Sequence, residues 1–341
     1  MQEITITGIN TLTHPHLDIW NWLIAVYLFL GGLAGGLLIL SAISQFRSKG
    51  KEMPRSAFTG PVLAPLILSA AMAFVFLDLT KKLSVVWFYL SFMVTAPMSW
   101  VAWALGITLV VSTLWALASI PERWRAHMGS VASQDVTTKS FIRRKLYLLS
   151  GIALGTIQKV SFRLLSGRDM LAGVNLVLGI ILGMGTGVLL SSFVARPLWN
   201  TPVLPVLFLV SGLSTGASLL ILIEKDERES LFFKKADIVL ITAEILLIAL
   251  FFYGHLASTA AHREAIRPFL AGGYYFPFWI ATLIFGISLP LAIAIEVAEV
   301  TGYAKSRLHI SSWLVLIAGL VLRLSLVYAG QLTGLTPLTG S

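Results

Sequence analysis

The chain has no cysteine among its 341 residues. Disulfides, thiolate zinc sites and cysteine-ligated iron–sulfur clusters are therefore excluded within it. If the protein handles electrons, a partner or a diffusible cofactor carries them. Charge is also scarce: Asp, Glu, Lys and Arg make up 12% of the residues, against about 25% in soluble domains. Histidine occurs six times, at His14, His16, His127, His255, His262 and His309. A membrane b-type haem needs two histidines facing each other inside a bundle, and only His255 falls within an apolar run. No metal-ligand cluster, phosphate-binding glycine loop or nucleophilic triad is legible either. Gly183, Gly185 and Gly187 lie inside an apolar stretch and read as helix-packing glycines. No haem or metal is expected in this chain.

What fills the sequence is apolar. Hydrophobic residues make up 57% and the mean hydropathy is +0.85, values of a multi-span membrane protein with little room for a separate soluble domain. The formal charge of +9 does not point to nucleic acid, because the basic residues punctuate apolar runs instead of forming one patch. Lys and Arg placed that way set orientation in a membrane.

Eight spans can be drawn, at 20–46, 57–79, 97–118, 170–193, 202–223, 236–257, 274–297 and 308–329, so the expected fold is all-α. The first extends about 40 Å at 1.5 Å per residue, enough to cross a ~30 Å hydrocarbon layer. Trp20, Asn21 and Trp22 stand at its start, Tyr27 lies one to two turns in, and Gly31, Gly32, Gly35 and Gly36 let other helices approach closely. Residues 85–95 read as an interfacial stretch before the third span. The longest connection, 119–169, contains an amphipathic stretch at 141–165 whose basic residues suit anionic headgroups of membrane lipid.

Orientation follows from the loop charges. The connections on the N-terminal side of the membrane carry 5 Lys and Arg, and those on the opposite side carry 19. Basic loops stay cytoplasmic, so both termini are expected outside.

Polar residues within spans cost about 2.5–3.5 kcal/mol each on insertion scales and need a reason. Many fall at one depth near the outer surface: Asn21, Trp22, Tyr27, Asp78, Trp100, Trp103, Arg196, Trp199, Tyr253, His255, Tyr274, Arg323 and Gln331. An acid, a base, a guanidinium and ring donors at one level suit an amphipathic head group that gains or loses protons, as a quinone does. The plainer alternatives are an aromatic interfacial belt, a structural ion pair between Asp78 and Arg323, and an ordinary interfacial His255. Two acids lie elsewhere. Glu244 is mid-span, where a charged carboxylate is costly, and Glu296 and Glu299 are at the cytoplasmic end of the seventh span. A proton path through Glu244 and Glu296 is one reading, and structural hydrogen bonding of Glu244 is the other.

Several blocks resemble a known family. They are the first span from Trp20 to Gly36, the run Pro97, Met98, Ser99, Trp100, and the stretch from Gly187 through Arg196, Pro197, Leu198, Trp199, Asn200 to Ala217. Arg323 through Tyr328 to Gln331 completes them. On these the chain is similar to the NrfD/PsrC family, integral membrane subunits of polysulfide reductase and formate-dependent nitrite reduction complexes. The resemblance implies two four-helix bundles, at about 20–193 and 202–329. It also implies a quinone site near the outer face, with menaquinone the expected quinone. A ferredoxin-like iron–sulfur partner would dock on the periplasmic face, with a molybdopterin catalytic subunit or a multihaem cytochrome beyond it. Such a subunit resides in the cytoplasmic membrane of a bacterium or archaeon. In the family a polar side chain on the first helix falls at Tyr27. A tyrosine usually precedes the Thr-Gly of the fourth helix, and here that place is Gly185.

The expected roles follow. Tyr27, Asp78 and His255 handle protons or hydrogen bonds, Asn21, Trp22 and Trp100 bind the ring, and Arg323 holds Asp78 or the head group. A proton or solute transporter, and a structural anchor without quinone binding, are the alternatives.

Overall fold

The computed structural model describes residues 20–48, 54–79, 81–82, 84–90, 92–132, 141–299 and 305–333. The described residues form helices joined by short connections. The first helix, α1 (Trp22–Arg47), starts where the Asn21 side chain accepts a hydrogen bond of 2.8 Å from the Leu23 amide, satisfying one orphan donor of the first turn. Next comes α2 (Ser56–Asp78), which tolerates Pro61 and Pro65 inside it. After the short α3 (Ser84–Leu90), α4 (Pro97–Ala118) opens on a proline, whose missing N–H costs nothing in the first turn. Then follow α5 (Glu122–Ala132), α6 (Phe141–Leu164) and α7 (Arg168–Ser191).

The second half begins with α8 (Val203–Ile223) and α9 (Glu227–Leu256), the latter capped by the Asp226 carboxylate. Two short helices, α10 (Ala260–Ala265) and α11 (Arg267–Ala271), precede a wide helical stretch, Phe276–Ser288. There the Thr282 hydroxyl donates five residues back to the Pro277 carbonyl, and the Leu289 amide does the same to Ile284. That stretch continues as α12 (Leu289–Glu299), and α13 (Lys305–Leu332) closes the chain.

Eight of these segments are long and apolar enough to cross a membrane, matching the eight spans expected, so this is an all-α, multi-pass membrane protein. Three details differ in kind. The amphipathic 141–165 stretch is a helix that runs into α7 through one tighter turn, Leu165–Gly167. The seventh span opens as the wide helix, where spacing alone reads as ordinary α-helix. The sixth span begins at Glu227, so Lys234 and Asp237 stand inside a helix and not on its rim.

At the centre, α1 packs on α2, α7, α8 and α13. Contacts close one ring through α1, α2, α4 and α7, and another through α8, α9, α12 and α13. The two rings meet along a seam between α1 and α8. Glycine makes the seam possible. A Cβ at Gly35 would stand 2.8 Å from the Gly179 carbonyl oxygen of α7, and one at Gly212 of α8 would stand 2.6 Å from that of Gly32. Paired Gly31/Gly35 and Gly32/Gly36 spacings thus give α1 two bare stripes, one for α7 and one for α8.

Candidate functional site

The start of α1 meets the end of α2, both at what we call the aromatic end of the bundle. Asn21 hydrogen-bonds the half-buried Asp78 carboxylate through its side chain while also capping its own helix. One residue on, the exposed Trp22 ring meets Phe74 edge-on, 6.0 Å between centroids. Tyr27 is 5% exposed and belongs to an apolar cluster with Leu68 and Ala71 of α2 and Val101 and Leu105 of α4.

Beside this cluster, a cavity of about 970 Å³ lies between α4 and α7. Its walls are almost wholly apolar and include Phe92, Trp100, Val101, Trp103, Leu182 and Gly185. The Trp100 indole N–H donates to the Val94 carbonyl at 2.7 Å, so the ring is fixed edge-on against Phe92 with centroids 5.1 Å apart. At Gly185 the space is open: an added Cβ would touch only Val101 Cγ2, at 3.6 Å. Val101 thus faces the cavity and also packs in the cluster that holds Tyr27. Of the residues singled out from sequence, Trp100, Trp103 and Gly185 line the cavity. Asn21, Trp22, Tyr27 and Asp78 gather at the adjoining α1–α2 end.

A clamp of a different kind joins the start of α1 to the end of α13. Trp20 stacks on Trp199 at 5.2 Å, with Phe193 edge-on to both. Gln331 of α13 exchanges two hydrogen bonds with the Trp20 backbone, and the Trp199 indole N–H donates 2.7 Å to the Leu326 carbonyl. Arg196 donates to the carbonyls of Gln331 and Thr333, each at 2.7 Å. His255 ties α9 to this turn. It is 1% exposed, with Nδ1 at 2.8 Å from the Phe251 carbonyl and Nε2 at 3.2–3.3 Å from those of Leu198 and Pro197. Each ring nitrogen faces a backbone carbonyl, and the neutral imidazole donates through one of the two. The Arg196 to Thr201 block that carries the family resemblance is therefore the knot that holds α1, α9 and α13 together.

A family model described as "Polysulphide reductase, NrfD" matches residues 10–335. The chain belongs to the NrfD family. It is 28% identical to the C subunit of polysulfide reductase from Wolinella succinogenes, over 92% of this chain and 94% of that one. It is 27% identical to protein NrfD of Escherichia coli, over 92% and 96%, and 26% identical to a protein NrfD homolog of Haemophilus influenzae, over 94% and 96%. Family members of this kind are membrane subunits of respiratory reductases.

In this NrfD-family chain three buried charged side chains, Arg323, Glu244 and Asp237, lie away from the cavity, within the second ring. Arg323 of α13 is fully enclosed. Its Nη1 donates to Ser211 Oγ at 3.1 Å and the Gly319 carbonyl at 2.8 Å, and its Nη2 reaches the Phe208 carbonyl at 3.3 Å. Ser211 in turn hydrogen-bonds Glu244, which is also attracted to the guanidinium. The Arg323 partner is thus Glu244, through Ser211, while Asp78 is held by Asn21. Two turns along α9, Asp237 is 3% exposed and receives Ser214 Oγ at 2.6 Å and Ser218 Oγ at 3.3 Å.

Sequence reasoning misses Asp237, because a sixth span that starts at 236 puts it on the rim. Its signal is there in two periodicities: carboxyls seven apart on α9, and Ser211, Ser214 and Ser218 along one face of α8. Glu296 is exposed and pairs with Arg307 at the surface, so it stands apart from Glu244. The side chain of Glu299, and all of His14 and His16, lie outside the described residues. Among the described residues no three His, Asp or Glu side chains gather to hold a metal ion.

Proposed function

We propose that this chain is the quinone-reactive membrane subunit of a respiratory oxidoreductase complex, with the reaction placed at the aromatic end. The supporting observation is the apolar cavity of about 970 Å³ between α4 and α7, walled by Trp100 and Trp103 and left open at Gly185. An aromatic-walled apolar cleft beside a few polar side chains is the usual form of a site for a small apolar ring, and the residues fit a quinone or quinol, menaquinol in the first instance. When bound, a quinol supplies two electrons and two protons. Trp100 flanks the ring, its indole locked by Val94. Tyr27, in the apolar cluster that Val101 shares with the cavity wall, is the hydroxyl donor, and an Asp78 carboxylate oxygen accepts a proton while Asn21 keeps it in place. His255, whose ring nitrogens face backbone carbonyls, and Arg323, whose Nη1 and Nη2 donate to Ser211 and backbone, position helices and do not touch the ring.

With no cysteine to hold a cluster, the chain passes electrons to a partner. We place a ferredoxin-like iron–sulfur subunit against the aromatic end, which the loop charges put on the periplasmic side of the cytoplasmic membrane. A molybdopterin subunit or multihaem cytochrome would complete the complex. In the purified complex, Trp100→Ala, Tyr27→Phe and Asp78→Asn should each slow quinol-analogue oxidation. Unchanged rates in all three would remove the site from this end.

A second reading, proton passage through the chain, is favoured by one observation. Asp237 and Glu244 line up on one face of α9 against a row of serines and end at Arg323. The carboxyls concerned are then Asp237 and Glu244, with Glu296 on the surface. Proteoliposomes that show no acidification difference between the unaltered complex and an Asp237→Asn, Glu244→Gln variant would end this reading.

A further inference from the structure

At the opposite, basic end of the α4–α7 pair, Arg125 of α5 is 9% exposed. Its Nε and Nη1 are fully enclosed and meet no hydrogen-bond partner among the described residues. The guanidinium lies over the Phe162 ring of α6, 5.4 Å from its centroid. Near enough to be felt is another cation: Arg125 and Arg168, the first residue of α7, repel each other. The acid near them, Asp169, offsets part of the Arg168 charge, and its Oδ1 is also engaged by Gln45 Nε2 at 2.8 Å. Enclosed charged donors without acceptors are costly, and like charges add to that.

A tetrahedral oxyanion relieves both terms, since a phosphate can accept from two guanidiniums at once. The surroundings identify what carries it. Trp124, next to Arg125, and Phe162 are 62% and 56% exposed, and Arg123, Lys159 and Arg163 are exposed or half-exposed around them. Exposed aromatics beside basic side chains at the end of membrane-spanning helices match the headgroup level of a bilayer.

We propose that Arg125 and Arg168 form a binding site for the phosphate of an anionic phospholipid. The lipid holds the α5–α6 unit against the ends of α4 and α7, with Trp124 and Phe162 against its glycerol and upper acyl chains. This site lies at the other end of α4 and α7 from the cavity, and it stands whether or not the quinone reading does.

The test uses the full chain, purified in mild detergent. Lipid is extracted and quantified from the unaltered protein, Arg125→Gln, Arg125→Lys and Arg163→Gln. Thermal unfolding is followed with added phosphatidylglycerol, phosphatidylcholine or inorganic phosphate. The unaltered protein should retain anionic phospholipid and be stabilised by phosphatidylglycerol but not phosphatidylcholine. Arg125→Gln should retain about tenfold less, and the surface variant Arg163→Gln should behave as the unaltered chain. If Arg125→Gln does not fold, Arg125→Lys carries the comparison, since it keeps the charge and loses the planar fork. Equal retention in the Arg125 variants overturns the site, as does an equal loss in Arg163→Gln. Stabilisation by inorganic phosphate that matches phosphatidylglycerol overturns the lipid in favour of a free anion.

Discussion

Arg323 of α13 reaches the middle of the bundle because Gly32 of α1 has no side chain. A Cβ at Gly32 would stand 2.7 Å from Nη2 of the arginine. Gly32→Val therefore pushes the guanidinium off Ser211 and off the carbonyls of Gly319 and Phe208. Overpacking of this sort costs about 1–3 kcal/mol. The melting temperature in detergent should fall clearly. Gly173→Ala, where the nearest neighbour would be Phe46 at 3.9 Å, should leave it unchanged. A Gly32→Val protein as stable as the original would mean that the arginine is not packed there.

The same arginine should be energetically bound to Glu244. Removing one member of a buried charged pair costs about 3–5 kcal/mol, because the other is left uncompensated. Arg323→Gln and Glu244→Gln should each destabilise the chain strongly. The double variant should then lose at least about 1 kcal/mol less than the sum. Additive losses in a double-mutant cycle would show that Ser211 and the backbone hold Arg323 without help from Glu244.

These two relationships mark where reading the sequence stops. The eight spans are legible because an apolar window long enough to cross a bilayer has few other uses, and the α1 glycines announce close packing. Which helix each glycine meets is not legible, since that depends on neighbours far along the chain. For the same reason depth alone sets Arg323 against Asp78, when its partner stands on α9. Asp237 escapes because a short error in a span boundary moves it from the interior to the rim. The His255 ring reads as a proton carrier because sequence shows its depth but not the two backbone carbonyls that the 193–202 turn brings to Nε2. Trp100 and Gly185, far apart in sequence, come to line one cavity only once α4 and α7 pack.

Gly185 offers a direct test of the cavity. The wall there is open enough that Gly185→Ala should be tolerated, its Cβ in ordinary contact with Val101. Gly185→Phe should fill the space beside Trp100 instead. Because that space is already present, the folded protein should lose less than about 1 kcal/mol of stability, while quinol-analogue oxidation falls about tenfold or more, an activation penalty near 1.4 kcal/mol. Normal oxidation by a Gly185→Phe complex would place the reacting ring elsewhere.

His255 separates positioning from chemistry. Replacing it with alanine removes the link between α9 and the carbonyls of Pro197 and Leu198, and leaves buried acceptors without a donor. That should cost about 1–3 kcal/mol and loosen the turn that presents Trp199 to Trp20. The rate of quinol-analogue oxidation, expressed per folded complex, should nevertheless stay within about twofold, since less than about 0.5 kcal/mol of barrier height is at stake in a group that does not touch the ring. Tyr27→Phe should instead slow the reaction measured per folded complex. Measuring both quantities on both variants decides the matter. A His255→Ala complex that melts normally but oxidises quinol slowly would return this histidine to the proton chemistry, and would require the backbone contacts of its ring to open during turnover.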